Sequence, residues 1–234
     1  MKPARPSLLI LFLALSSLAW CQTPPAPATI TFTLDFPQST PNHYQVVVDS
    51  SGRATYTSGL AKPEAKPDPD SDIASSDSDQ PYHYTFTLTP ETRDRIFDLA
   101  ARANYFSGDV NYTKRNIANT GQKILTYKDA QRSTHAEYNY STNPAVQQLT
   151  GLFQQLSSTL EYGHRLEEAL HYQKLALDEQ LKSMEQQANE NQLVEVQAVA
   201  PILKKIAADT SVMNVSRARA ERLLAKAGSA GATR

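Results

Sequence analysis

Cysteine is all but missing from this chain: Cys21 is the only one, and it stands at the end of an N-terminal apolar segment. The folded part therefore has no thiol, which excludes disulfides, cysteine nucleophiles and cysteine-ligated zinc. Glycine is scarce too, with eight residues scattered through 234. None forms a G-x-G-x-x-G turn or a phosphate-cradling loop, so the common nucleotide-binding devices are excluded. There is no G-x-S-x-G elbow, and no serine is followed three residues later by lysine, which removes two familiar serine-nucleophile arrangements. A basic stripe with interleaved aromatics is lacking as well. Lys and Arg number 23 against 24 Asp and Glu, and nucleic acid is not an expected partner.

What is present begins with "MKPARPSLLILFLALSSLAWCQTPPAP". Lys2 and Arg5 make a basic start, and Ser7 to Trp20 is almost wholly apolar, shorter than the roughly 20 residues a bilayer span needs. Small residues at Ser17 and Ala19, or at Ala19 and Cys21, suit a signal peptidase. Residues 1–21 read as a signal peptide and 22–28 as a proline-rich linker, so the protein is expected to be exported to the periplasm or beyond. "LAWC" resembles the bacterial lipobox at Leu18 and Ala19 and departs from it at Trp20. Lipidation of Cys21 would make the membrane a partner; plain cleavage would not. Loss of Lys2 and Arg5 takes the net charge from −1 to −3. About 210 residues then remain, enough for one large or two small domains.

The first half alternates with a period of two, the mark of a half-buried strand. Ile30, Phe32, Leu34 and Phe36 share one side; Tyr44, Val46 and Val48 share another. Gly52 turns the chain into a strand carrying Ala54 and Tyr56. Tyr82, Tyr84, Phe86 and Leu88 repeat the rule. A later hairpin, "QKILTYKD" and "RSTHAEYNY", sets Thr134, Ala136, Tyr138 and Tyr140 against Ser133, His135, Glu137 and Asn139. Residues 62–81, with four prolines and five aspartates, are too polar to offset ordering entropy and read as a solvated excursion. Asp68, Asp70 and Asp72 imitate the start of a calcium loop whose glycine and distal glutamate are missing.

Two helices accompany the sheet. Thr89 caps the first, with Pro90 at its first position and Glu91 at the positive end of its dipole. Its stripe is Ile96, Leu99, Ala100 and Ala103, and Tyr105 and Phe106 then drop into the core. Asn143 caps the second ahead of Pro144, and Val146, Leu149, Leu152, Phe153, Leu156 and Leu160 form its stripe. Beyond residue 162 only helix is expected, near 164–189, 192–208 and 214–227, with Pro201 kinking the middle one or starting its last two turns. The fold class is α+β: an antiparallel sheet of hairpins with two packed helices over 29–162, then an all-helical region over 163–234.

The strings "VVVDSSGRATYTS", "LTPETRDRIFDLAARANYF" and "NPAVQQLTGLF" together resemble a family of uncharacterised exported bacterial α+β domains. They are also similar to emfourin-like inhibitors of thermolysin-type proteases. The resemblance covers residues 43–160, implies a compact binding module and carries over no catalytic residue; the acidic insertion departs from both patterns. "VAPILKKIAADTSVMNVSRARAERLLAKA" resembles one HEAT repeat through Pro201, Asp209, Val215 and Arg217. No second copy is found, and a solenoid needs about three, so a helical hairpin is implied.

One stretch has the composition of an active site: "EYGHRLEEALH", residues 161–171. At about 100° per residue, Glu161, Glu167, Glu168 and His171 fall within about 60° of His164. Leu166, Leu170, Leu177, Leu181 and Met184 cluster between about 200° and 260° on the same wheel. That phase implies a wet helix face. The competing reading is a metal site on Glu161, His164, Glu168 and His171. His164 and His171 lie about 10 Å apart along the axis, whereas zinc takes nitrogens at about 2 Å, so that reading needs a second chain. His43, His83 and His135 sit on polar strand positions. The alternating tyrosines Tyr44, Tyr56, Tyr82, Tyr84, Tyr138 and Tyr140 suit either a ligand platform or a core face, and the core face is the simpler account.

No catalytic residue, cofactor or metal is therefore assigned, and an enzyme is the less favoured class. The leading expectation is an exported binding or structural protein acting through protein–protein contacts. Two alternatives stay open: an inhibitor of a thermolysin-type secreted protease, and a metal-dependent enzyme using the 161–171 helix.

Overall fold

The computed structural model describes residues 26–59, 81–114 and 117–232. The expected signal segment and all of the 62–81 excursion except Pro81 fall outside them. Six strands form one antiparallel sheet: β1 (Thr29–Asp35), β2 (His43–Asp49), β3 (Arg53–Ser58), β4 (Tyr82–Thr87), β5 (Gln122–Lys128) and β6 (Ser133–Tyr138). Their spatial order is β4-β3-β2-β1-β5-β6. Local chemistry sets the two tight hairpins. Asp49 Oδ1 accepts from the amides of Ser51 at 2.9 Å and Arg53 at 3.0 Å, and Gly52 supplies φ +91°. Asp129 Oδ1 accepts from Gln131 and Arg132 in the same way. An aspartate that bonds the backbone just ahead of it imitates a turn and fixes the register of the returning strand.

Register and alternation then put Ile30, Phe32, Tyr44, Val46, Val48, Ala54, Tyr56, Phe86, Leu125, Ala136 and Tyr138 on one buried face, as the period-two pattern predicts. The opposite face carries half-buried or exposed threonines such as Thr31, Thr33, Thr57 and Thr85. Lys123 is the exception. Its strand phase points it inward, and it is only 4 % exposed. Its Nζ donates to the carbonyls of Thr120, Gly121 and Asn139 at 2.9–3.0 Å, and burial pushes its pKa below the ordinary lysine value.

Helix α1 (Pro90–Arg102) starts as expected, with Thr89 Oγ1 accepting from the Thr92 amide. After it, Asn104, Tyr105 and Phe106 all take positive φ, which sends Phe106 into the core with no exposure. Tyr105 stays half-buried under the Arg132 guanidinium, 4.3 Å from its ring. Helix α2 (Pro144–Tyr172) is capped by Asn143, and all six residues of its expected stripe are buried.

The expected helix at 164–189 is corrected here. α2 runs unbroken for 29 residues, about 43 Å, and stops at Tyr172 where Gln173 leaves helical geometry. A separate helix, α3 (Leu177–Asn189), then turns back. Gly163, in the middle of α2, breaks nothing: a Cβ there would meet Val199 Cγ1 at 2.6 Å, so it lets two segments approach closely. The helix expected over 192–208 is likewise shorter. Glu195 adopts left-handed geometry, a 3₁₀ turn covers Val196–Val199, and α4 (Ala200–Ala208) begins with Pro201 in its first turn. That is where proline's missing N–H costs least. α5 (Asn214–Ala232) completes a hairpin with α4. The Arg217 Nε donates to the Ala207 carbonyl at 3.0 Å.

The C-terminal helices fold back onto the rest. Tyr84 on the edge strand β4 donates its hydroxyl to the Ala198 carbonyl at 2.7 Å. The buried Glu195 carboxylate accepts from the Thr89 amide at 3.0 Å and the Thr89 hydroxyl at 2.6 Å. A carboxylate thus closes the positive end of α1 from more than a hundred residues away. One apolar cluster runs from Ile30 to Ala227 without interruption.

Candidate functional site

α2 crosses the sheet diagonally, and its contacts fall on four of the six strands in turn. Thr150 meets Tyr138 of β6 at 2.6 Å. Phe153 stacks on Phe32 of β1 with centroids 5.1 Å apart. Ser157 and Glu161 meet Tyr56 of β3 at 3.0 and 2.7 Å, and His164 stacks on Tyr82 of β4 at 4.0 Å. β4 is the edge strand, so past His164 the helix has left the sheet. This geometry corrects the expectation of one wet face. Glu161 is 9 % exposed, and its Oε1 accepts from the hydroxyls of Tyr56 and of Ser58 at 2.7 and 2.5 Å. Glu168 and His171, beyond the sheet edge, are exposed, whereas His164 and Glu167 are half-buried.

The expected site residues are therefore dispersed. Glu161 points into the sheet, while His164 lies flat on Tyr82 with its Nε2 3.6 Å from Glu168 Oε1. His171 sits at the helix end, edge-on to Tyr172 at 4.4 Å. Among the described residues no three His, Cys, Asp or Glu side chains come together as metal ligands. The tyrosines divide as well. Tyr44, Tyr56 and Tyr138 belong to the core, Tyr82 and Tyr84 are half-buried at the edge strand, and Tyr140 is exposed. His43 lies 3.5 Å from Asp35, and His83 touches Thr57 across the strand pair at 3.2 Å.

Two features escaped sequence reasoning. One is a polar cleft of about 250 Å³ between the Ser39–Pro41 turn and α2, lined among others by Tyr44, Ser157, Glu161, Tyr162, Arg165 and Gln187. Burial pushes the hydroxyls of Tyr44 and Tyr56 well above the ordinary tyrosine value, and the nearby Glu161 charge adds to the rise at Tyr56. The signal that could have found the cleft is the polar set Ser157, Glu161 and His164 on the sheet-facing side of α2. On one continuous wheel at about 100° per residue, Val146, Phe153 and Ser157 lie within about 20° of His164. The other feature is the elbow joining α2 to α3. Tyr172 is 73 % and Leu175 82 % exposed there. Clefts flank it on both sides, one lined by Glu168, Ala169, Ala176 and Gln180, the other by Tyr82, His164, Ile202 and Lys205.

No protein-family model matches the chain, and no curated protein matches it either. Among the described residues no helix is long and apolar enough to cross a membrane.

Proposed function

We propose that the protein is exported and acts by binding another protein through the elbow between α2 and α3. The single observation that supports this reading is the exposure of Tyr172 and Leu175 on the part of the molecule that overhangs the sheet. Burying a large apolar side chain is worth about 1.5–3 kcal/mol, and folding leaves that unspent at both positions. Tyrosine is enriched among residues that dominate interfaces, and the flanking clefts offer shape for a partner to fill.

The test uses the double substitution Tyr172→Ser and Leu175→Ser. Both side chains face solvent, so the unfolding free energy should change by no more than about 0.5 kcal/mol. A pull-down from periplasmic extract is expected to recover a stoichiometric partner with the native protein and at least tenfold less with the variant. Equal recovery by both proteins, or no stoichiometric partner with either, overturns the reading.

A further inference from the structure

Glu161 and Arg165 are one helical turn apart, the spacing at which a carboxylate and a guanidinium normally pair. They do not pair here. Glu161 Oε1 is held by Tyr56 and Ser58, and its Oε2 makes no hydrogen bond among the described residues. Arg165 lies instead over the Tyr162 ring, its guanidinium carbon 4.6 Å from the centroid. Its buried Nε has no hydrogen-bond partner. The Tyr44 hydroxyl, on a residue 3 % exposed, finds no partner at full hydrogen-bond geometry and has only the weaker approach of the Ser157 hydroxyl, which is itself engaged with Tyr56. All three side chains line the same cleft. Unsatisfied buried polar atoms are uncommon and costly. Two of them, the Arg165 Nε and the Tyr44 hydroxyl, converge on this cleft beside the open side of the Glu161 carboxylate and outline something that would complete them.

We propose that this cleft binds a small free α-amino acid as its zwitterion, with the ligand carboxylate on Arg165 and Tyr44 and the ligand ammonium on Glu161. Charge decides the class. A simple anion would satisfy Arg165 and meet the Glu161 carboxylate; a simple amine would do the reverse. A neutral sugar would leave two opposite charges uncompensated in a half-buried site. An amino acid carries both charges a few ångströms apart and answers each. Size agrees: about 250 Å³ is below the roughly 300–1,000 Å³ of pockets for drug-sized ligands. The far wall is built, since the Ser39 hydroxyl donates to the Pro41 carbonyl at 2.7 Å and ties the turn that faces α2. The proposal is independent of the elbow, which lies farther along α2.

The test is isothermal titration calorimetry of the purified protein with each common L-amino acid, and with acetate, methylamine and glucose. At least one amino acid is expected to bind with a Kd of about 1 mM or tighter, and acetate, methylamine and glucose to bind at least tenfold more weakly. Arg165→Gln and Tyr44→Phe should each weaken the amino acid at least tenfold, with unchanged circular dichroism showing that both variants fold. Four results overturn the proposal: no amino acid binds; acetate or methylamine binds as tightly; glucose alone binds; or a folded Arg165→Gln binds as the native protein does.

Discussion

A tyrosine hydroxyl deep in a sheet core needs a partner, and the partner Tyr56 finds is ionisable. With no side-chain exposure, Tyr56 donates to Glu161 and contacts Ser157, while Ser58 donates to the same carboxylate oxygen. No cation pairs with that carboxylate among the described residues, so the two hydroxyls supply its stabilisation, and hydrogen bonds to a charged acceptor are worth more than neutral ones. Tyr56→Phe keeps the ring packing and removes one of the two donors. It is expected to lower the unfolding free energy by about 1.5–3 kcal/mol, read from the midpoint of a urea titration at unchanged slope. A loss under about 0.5 kcal/mol, the range of an inconsequential substitution, would mean the carboxylate is satisfied another way. The triad was not legible in the sequence because Glu161 lies more than a hundred residues from Tyr56 and Ser58, and only the folded sheet brings them together. Tyr56 read correctly as a core face, Ser58 stood out in no pattern, and Glu161 was placed on a wet helix face with a metal site as the competing reading.

At the level of whole elements, the caps and the strand faces were legible, since Thr89-Pro90, Asn143-Pro144 and the alternation from Ile30 to Tyr138 depend on neighbours within a few residues. The continuity of α2 was not. Its surroundings change along its length, from sheet on one side to helices on the other, so its apolar stripe shifts phase near residue 160. A shift of phase reads as the end of one helix and the start of another, and polar residues facing the sheet then read as a wet face. Gly163 is where this matters energetically. Gly163→Ala would improve intrinsic helix propensity by about 0.8–1 kcal/mol, yet its Cβ would lie 2.6 Å from Val199 Cγ1. Overpacking costs about 1–3 kcal/mol, so the net effect is expected to be destabilising and to fall on the contact between α2 and the Val196–Val199 turn. Hydrogen exchange should show faster opening at residues 196–208 than at β1 and β2. A rise in thermal midpoint would contradict the packing account.

Considered as one molecule, the protein holds the ionisation of Tyr44, Tyr56, Tyr82 and Tyr138 above the ordinary 10.0, in each case chiefly by burial; Tyr138 is raised to about 12. Linkage sets the sign. The unfolded chain loses these protons near pH 10 while the folded chain keeps them, so their contribution is fully present below about pH 10 and is lost as pH rises beyond it. Alkaline unfolding is expected to begin above about pH 10 and to coincide with a cooperative rise in tyrosinate absorbance. Smooth ionisation of all eleven tyrosines with ellipticity unchanged would contradict it. The apolar cluster from Ile30 to Ala227 ties sheet and helices into the same event, and the rod that links them has a mechanical side. Because α2 is gripped by four strands and by the Val196–Val199 turn before it projects, its overhanging end has no swivel. Whatever docks at Tyr172 and Leu175 is held at a set bearing to the sheet, and a load applied there is borne by the core as torque.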